Sequence, residues 1–331
     1  MTVNSIKIRR RALAAMALAA SAIVVAACGG GTQNNSFRAS RIIAFGDESS
    51  LIVDTNNDAN GSKYTVNATV SSTEATLVCG LSPLWVQSVA AIYGLVFPQC
   101  NPGPTNVVAP TSRIRATLGA RAADLGAQID AQQGESALGD GDLVTVLVGQ
   151  NDVIAEYQQY PAQSEAQLIA NVEAEGAEVG RQVNRITDTG ARVLLATVVD
   201  LGGSPFGITE RLAHADTDRS ALITRLTARF NASLRATIVN DGRKIGLILL
   251  DELVSAIVKF PGLDGITNVT DPVCDLTRSA LTPPSILDCS ALTLVPNGTA
   301  AYLWADDRHL SASVQSLLGG LALARAQNNP F

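Results

Sequence analysis

Four short apolar runs, separated by long polar and amphipathic stretches, constrain the fold of this chain more than any other feature. They are nearly continuous instead of alternating, which is typical of strands that are buried on both faces of a parallel sheet. The runs lie at Arg41–Phe45, Leu143–Val148, Ala191–Val199 and Ile245–Leu250. The sequence therefore predicts a central sheet built from these four segments.

Helical patterns lie between the predicted strands. Ser164–Thr187 repeats apolar residues at helical spacing, and Thr209–Val239 predicts one or two further helices. Strands that alternate with helices predict a single α/β domain, a doubly wound parallel sheet flanked by helices. Ligands bind such sheets beyond the carboxyl ends of the strands, where Asp47, Asn151 and Asp200 fall.

Two stretches break this alternation, and each contains two cysteines. Leu51–Pro110 includes a predicted helix at Pro83–Leu95, and Pro261–Gly298 is rich in loop residues. Each stretch either shapes the entrance to a substrate site or is a surface excursion that a disulfide closes. Four cysteines allow three pairings, and we expect the local ones, Cys79 with Cys100 and Cys274 with Cys289. No Cys-x-x-Cys pattern or histidine cluster suggests a metal site.

The first 27 residues have the pattern of a signal peptide. A basic start precedes an apolar run, Ala12–Ala27, that is shorter than the roughly 20 residues of a membrane-spanning helix. Val25–Cys28 resembles the lipobox of bacterial lipoproteins, which implies that Cys28 is lipidated. The alternative is a plain signal peptide that ends in an incidental cysteine. Gly29 then implies an outer-membrane lipoprotein, with 28–39 as a flexible tether and 40–331 as the domain.

Charge argues against one class of partner. Removal of the signal peptide leaves 20 basic and 30 acidic residues, a net charge of about −10. A nucleic-acid surface requires a basic stripe, so we expect no nucleic-acid partner. The expected contact with a membrane is through the N-terminal lipid anchor.

Asp306 and His309 form the strongest candidate pair for catalysis. An aspartate three residues before a histidine can orient the imidazole and stabilise its protonated form. The sequence has only two histidines, and the other, His214, lies in a charged helical stretch. A surface loop or a helix cap is the alternative interpretation of such a pair.

Four blocks in order resemble the GDSL, or SGNH, hydrolase family of esterases and lipases. They are Phe45–Ser50, Leu118–Ala122, Gly149–Asp152 and Asp306–His309. The resemblance covers nearly the whole chain after the signal peptide, and it implies a flavodoxin-like three-layer sandwich. It also implies a serine ester hydrolase that uses no cofactor and takes a lipid, an aryl or short-chain ester, or an acylated glycan as substrate.

The chemistry assigns a role to each block. Ester hydrolysis needs a nucleophile, a base, and donors directed at the oxygen that becomes negative. The nucleophile's own N–H, the N–H of Gly119 and the side-chain amide of Asn151 are the expected oxyanion donors, with His309 as base and Asp306 as its partner. An Asx turn is the alternative role for Asn151.

The sequence departs from the family pattern at the nucleophile. Without a gap, Glu48 occupies the position of the family's serine. An insertion of one residue makes Ser49 the nucleophile, and an insertion of two makes it Ser50. Our expectation is a Ser49–His309–Asp306 esterase. The alternative is an inactive surface lipoprotein of the same fold that binds acyl or glycan ligands.

Overall fold

A five-stranded, wholly parallel sheet forms the centre of the protein in a computed structural model. The structure describes residues 37–103, 106–239 and 242–328. The predicted signal peptide, the lipidation site Cys28 and all but the last three residues of the predicted tether lie outside the described residues. From Arg38 onward the chain forms one unit.

The strands run in chain order as β1 (Arg41–Gly46), β2 (Ile52–Val53), β3 (Ser62–Lys63), β4 (Thr69–Ser71), β5 (Glu74–Leu77), β6 (Arg113–Ile114), β7 (Asp142–Leu147), β8 (Arg192–Ala196), β9 (Ile245–Ile248), β10 (Asn268–Pro272) and β11 (Tyr302–Trp304). The central sheet has the order β6-β1-β7-β8-β9, and every neighbouring pair in it is parallel. The other strands form three two-stranded ribbons, β2-β3, β4-β5 and β10-β11.

The helices are α1 (Trp85–Ile92), α2 (Leu125–Glu135), α3 (Gln150–Tyr157), α4 (Glu165–Asp188), α5 (Pro205–Ala213), α6 (Arg219–Thr237), α7 (Leu250–Lys259) and α8 (Ala312–Asn328). They pack in groups against the sheet. One group pairs α1 with α8, and α8 contacts β8 and β9. Another joins α2, α4 and α6, and contacts the sheet through β1 and β8. None of the described helices is both long enough and apolar enough to span a membrane.

The predicted α/β class is confirmed, and the four apolar runs are β1, β7, β8 and β9. The side chains of these strands are mostly buried on both faces of the sheet, and Ile42 and Val144 are fully buried. The helix expected in Ser164–Thr187 is α4, with Ser164 as its N-cap, and the second helical stretch forms α5 and α6. Strand β6 was not predicted, because two residues carry no periodic signal.

Both sequence excursions are stapled as expected. Disulfides join Cys79 to Cys100 and Cys274 to Cys289. The second disulfide lies in a small apolar cluster with Tyr64, Val273 and Ile286. The first excursion contributes Tyr64 to this cluster and the second contributes Val273, so the two excursions share a core beside the sheet.

Candidate active site

The site begins where β1 ends, at Gly46. This glycine has a φ of 120°, and a side chain there would overlap the carbonyl oxygen of Leu147 on the neighbouring strand. Only glycine permits this close approach. The next residue, Asp47, turns the chain into a single 3₁₀ turn, Glu48–Ser50, and its carboxylate accepts a hydrogen bond from the Ser49 N–H at 2.9 Å.

The turn directs its three side chains in different directions, because a 3₁₀ helix has three residues per turn. Ser50 is fully buried, and its hydroxyl accepts a hydrogen bond from the Trp85 indole at 3.1 Å. Ser49 is partly exposed and lines a hollow of about 10 Å³ together with Arg308. Glu48 is the residue of the turn that faces His309.

Glu48 accepts hydrogen bonds at both carboxylate oxygens. Oε2 accepts from the Gly119 N–H at 2.9 Å and from the Asn151 amide at 3.1 Å. Oε1 accepts from the Gln150 amide at 2.9 Å and lies 3.3 Å from the Asn151 amide nitrogen. The two groups predicted as oxyanion donors, Gly119 and Asn151, therefore converge on a carboxylate of the protein itself.

The loop Asp306–His309 presents the imidazole. Asp306 Oδ1 accepts from the backbone N–H groups of Arg308 at 3.0 Å and His309 at 2.7 Å. Its other oxygen contacts His309 Nδ1 at 2.7 Å. The predicted pair is thus formed, and the carboxylate fixes both the loop backbone and the ring.

The far side of the imidazole faces Glu48. His309 Nε2 lies 3.5 Å from Glu48 Oε1, which is long for a hydrogen bond. Nε2 is buried and has no hydrogen-bond partner among the described residues. We therefore describe Glu48 and His309 as an ion pair with a narrow gap between the two groups.

Glu48, His309 and Asp306 form an ion trio, and each charge in it stabilises its neighbours. Burial alone would lower the pKa of His309, but the charges and contacts of Asp306 and Glu48 raise it to about 10. Burial would raise the pKa of Glu48, and the contact with His309 and the Gly119 N–H lowers it to about 2. The pKa of Asp306 is also lowered, against the effect of burial, by the His309 charge. At neutral pH the trio is carboxylate, imidazolium, carboxylate.

A second glycine and a buried acid place the donors. Gly149 follows β7 and is the N-cap of α3 with a φ of 130°, and a side chain there would overlap the Phe230 ring. The α3 helix then starts with the amides of Gln150 and Asn151. Asp152, whose pKa burial raises to about 6, accepts from the Ala122 N–H at 3.0 and 3.1 Å. This contact ties the Gly119 loop to α3.

The site lies just beneath the surface. Glu48 is 3% exposed and His309 is 8% exposed, while the neighbouring Gly119 is exposed and Asn151 is partly exposed. The Tyr64 ring lies 5.4 Å from the His309 ring and covers another side. Access from solvent to Glu48 is therefore restricted.

The structure does not bring the expected serine nucleophile to the base. In place of the Ser49 hydroxyl, Glu48 occupies the position that faces His309, and the alternative nucleophile Ser50 bonds Trp85 instead. The physical reason lies in β1, whose register with β7 runs unbroken to Gly46 and Leu147. The turn follows at once, so no inserted residue shifts a serine into place.

Other singled-out residues have structural partners. Asp200 caps a short turn and accepts from the Gly202 N–H and the Thr224 hydroxyl. His214 is the C-cap residue of α5, and its Nε2 lies 3.4 Å from Glu210 Oε2. Gln150 was not singled out by sequence reasoning, although it precedes Asn151 directly in the third block. Within the described residues no group of three His, Cys, Asp or Glu side chains could hold a metal ion.

Similarity to known proteins lies in structure and not in sequence. No family model and no curated protein sequence matches this chain. Among solved structures it resembles the acetylxylan esterase Axe2 from Geobacillus stearothermophilus at 13% identity and a TM-score of 0.42, over 88% of this chain and 96% of that one. A putative GDSL-like lipase from Parabacteroides merdae is 12% identical with a TM-score of 0.42, over 89% of this chain and 99% of that one. A lipolytic G-D-S-L family protein from Veillonella parvula is 9% identical with a TM-score of 0.39, over 86% of this chain and 96% of that one. Values this low do not by themselves support an activity for this chain.

Proposed function

We propose that this protein is an envelope lipoprotein of the SGNH type that binds acyl or glycan ligands at the carboxyl edge of its sheet and has no serine esterase activity. One observation carries the proposal: the Glu48 carboxylate occupies the space between His309 and the donors on Gly119 and Asn151. An ester substrate would need that space for its own oxygen.

Two requirements of serine catalysis are unmet in this arrangement. The base must be neutral to accept a proton, and the raised pKa of His309 keeps it protonated at neutral pH. The oxyanion donors must be free, and both already donate to Glu48. Loss of one such donor typically costs about 3 kcal/mol of transition-state stabilisation.

A second candidate is the carboxylic ester hydrolase predicted from the sequence, with Ser49 or Ser50 as nucleophile. The contact between Asp306 and His309 favours it, since that pair is the base of a triad. Fluorophosphonate labelling with peptide mapping distinguishes the two. We expect no adduct on folded wild-type protein. An adduct on the peptide that contains Ser49 and Ser50, lost in the matching Ser→Ala variant, would establish the esterase.

Restoration of a serine provides the sharpest test. Glu48→Ser places a hydroxyl opposite His309, removes the anion that raises its pKa, and frees Gly119 and Asn151. We expect this variant to gain p-nitrophenyl acetate hydrolysis and fluorophosphonate labelling at residue 48. Glu48→Ala and the double variant Glu48→Ser/His309→Ala are the controls, and neither should gain activity. A Glu48→Ser variant that folds and stays inert would count against this assignment of the site.

The envelope location is proposed from the sequence. A lipidated Cys28 would carry the domain on a short tether, with the membrane as its partner through that anchor. We expect the protein to fractionate with outer membranes, and Cys28→Ser to release or misprocess it. An unmodified mature terminus on soluble wild-type protein would contradict the anchor.

A further inference from the structure

Glu48 fills the space between His309 and the donors on Gly119 and Asn151, and it is also placed to act as a nucleophile. Oε2 is held by two donors, the Gly119 N–H and the Asn151 amide, while Oε1 accepts from the Gln150 amide and faces the buried Nε2 of His309 at 3.5 Å. If Oε1 formed a bond to carbon, Oε2 would become the carbonyl oxygen of an ester. The same two donors would then stabilise the negative charge that develops on Oε2 when water attacks that ester.

We propose that this site adds water to small terminal epoxides, with Glu48 as the nucleophile and His309 as the acid and then the base. The inference goes beyond ligand binding, and it rests on the proposed absence of a serine nucleophile. Asp306 acts as a positioning residue, because it holds the imidazole through Nδ1 and touches no reacting atom.

The first step opens the ring. Glu48 Oε1 attacks the unhindered ring carbon, the carbon–oxygen bond of the epoxide breaks, and its electron pair stays on oxygen. The imidazolium of His309 transfers its Nε2 proton to that oxygen. The products are a hydroxyalkyl ester of Glu48 and a neutral imidazole.

The second step regenerates the site. Neutral His309 removes a proton from water, and the hydroxide adds to the ester carbonyl carbon of Glu48. The tetrahedral intermediate breaks its bond to the alkyl oxygen, and the proton of the added hydroxyl moves to that oxygen. A diol leaves, Glu48 is again a carboxylate, and His309 is again protonated. The net reaction is epoxide plus water to diol, without oxidant or reductant.

The charge state of the resting trio favours an epoxide over other electrophiles. An epoxide leaves as an alkoxide that needs a proton, and His309, with its pKa raised to about 10, carries one. Esterification of Glu48 then removes one of the two anions that raise this pKa, so the imidazole becomes a better base for the second step. A halide leaving group would make no use of this proton.

Access sets the size of the substrate. Glu48 and His309 are almost fully buried, and the exposed Gly119 lies beside them. Such burial favours a small substrate, and a slender terminal epoxide presents one unhindered carbon. A carboxylic ester would also need donors for its own oxyanion, and these are already bonded to Glu48.

Propylene oxide in water enriched in oxygen-18 tests the inference. With wild-type protein in molar excess, one turnover should place oxygen-18 in the peptide that contains Glu48, since the attacking water oxygen stays on the carboxylate. With substrate in excess, we expect propanediol. Glu48→Gln should remove both signals, and His309→Gln should lower diol formation at least about 100-fold. Glu252→Gln alters an exposed carboxylate and should change neither.

The outcomes separate this inference from the proposed function. Folded wild-type protein that forms neither diol nor labelled Glu48 overturns the epoxide chemistry, and the proposed function then stands on the fluorophosphonate result. A fluorophosphonate adduct on Ser49 or Ser50 overturns both. Diol formation that survives Glu48→Gln also overturns the inference, because the water would then attack the substrate directly.

Discussion

Glu48→Gln is the most informative single change for the electrostatics of the site. The substitution keeps the size of the side chain but removes its charge and one of its two acceptors. Glu48 receives donors at both oxygens, from Gly119 and Asn151 on one side and Gln150 on the other. Whichever way the new amide is turned, its NH₂ group meets at least one of these donors, and His309 loses an anionic neighbour.

The expected loss can be built from these contacts. A buried donor without an acceptor costs about 1–3 kcal/mol. Removal of one partner of a buried ion pair costs about 3–5 kcal/mol, although loss of the imidazolium proton limits this part. We expect Glu48→Gln to lower the free energy of unfolding by about 3–5 kcal/mol near pH 6.

The pH dependence has a definite sign. His309 has a folded pKa raised from 6.5 to about 10, so its contribution to stability is fully present below pH 6.5 and is lost as the pH rises toward 10. The difference between wild type and Glu48→Gln should therefore shrink as the pH rises through this window. Glu48 and Asp306 titrate far below it, because the pKa of each is lowered to about 2.

Urea unfolding at several pH values and NMR titration of the imidazoles measure both effects. Only two histidines are present, so His214→Ala assigns the signals. We expect the His309 midpoint to move to lower pH in Glu48→Gln, while Glu252→Gln leaves it in place. Equal stability near pH 6 together with an unchanged midpoint would refute the ion trio.

Three further predictions concern the scaffold. Gly46→Ala should destabilise the fold by several kcal/mol or prevent it, because φ is 120° and the new methyl group meets backbone; a thermal midpoint close to wild type would contradict this. Lys63 is fully buried and donates to three backbone carbonyl oxygens at 2.7 to 3.0 Å, so Lys63→Met should cost about 2–4 kcal/mol in urea unfolding. Replacement of Cys274 and Cys289 by Ser should cost about 3 kcal/mol, and unchanged unfolding without reductant would disprove a stabilising role for that disulfide.

The fold could be predicted from the sequence, because strands that are buried on both faces appear as nearly continuous apolar runs. Ile42 and Val144 lie in runs with almost no polar residue, and each run became a strand of the sheet. Strand β6 left no such mark, since Arg113 and Ile114 are only partly buried. Its place at the sheet edge depends on pairing with β1, which is a tertiary contact.

The pairing of Asp306 with His309 could also be predicted, because a spacing of three residues brings the two side chains together within one loop. The identity of the side chain that faces His309 could not be predicted. Glu48, Ser49 and Ser50 are adjacent, and a rotation of the turn by one residue would exchange them. The register of β1 with β7 and the hydrogen bond from the Ser49 N–H to Asp47 fix that rotation. The register is a tertiary contact, and the order of residues in the motif does not specify it.

The donors around Glu48 link the two proposals. Gly119 and Asn151 are placed to stabilise negative charge on one oxygen, and their hydrogen bonds act on that oxygen whether it belongs to a substrate or to the protein. In this chain Glu48 supplies the oxygen. A substrate oxyanion is thereby excluded, which argues against serine ester hydrolysis. The chemistry that these donors can still assist is chemistry at the Glu48 carboxyl group itself, and attack by water on an ester of Glu48 is such a reaction.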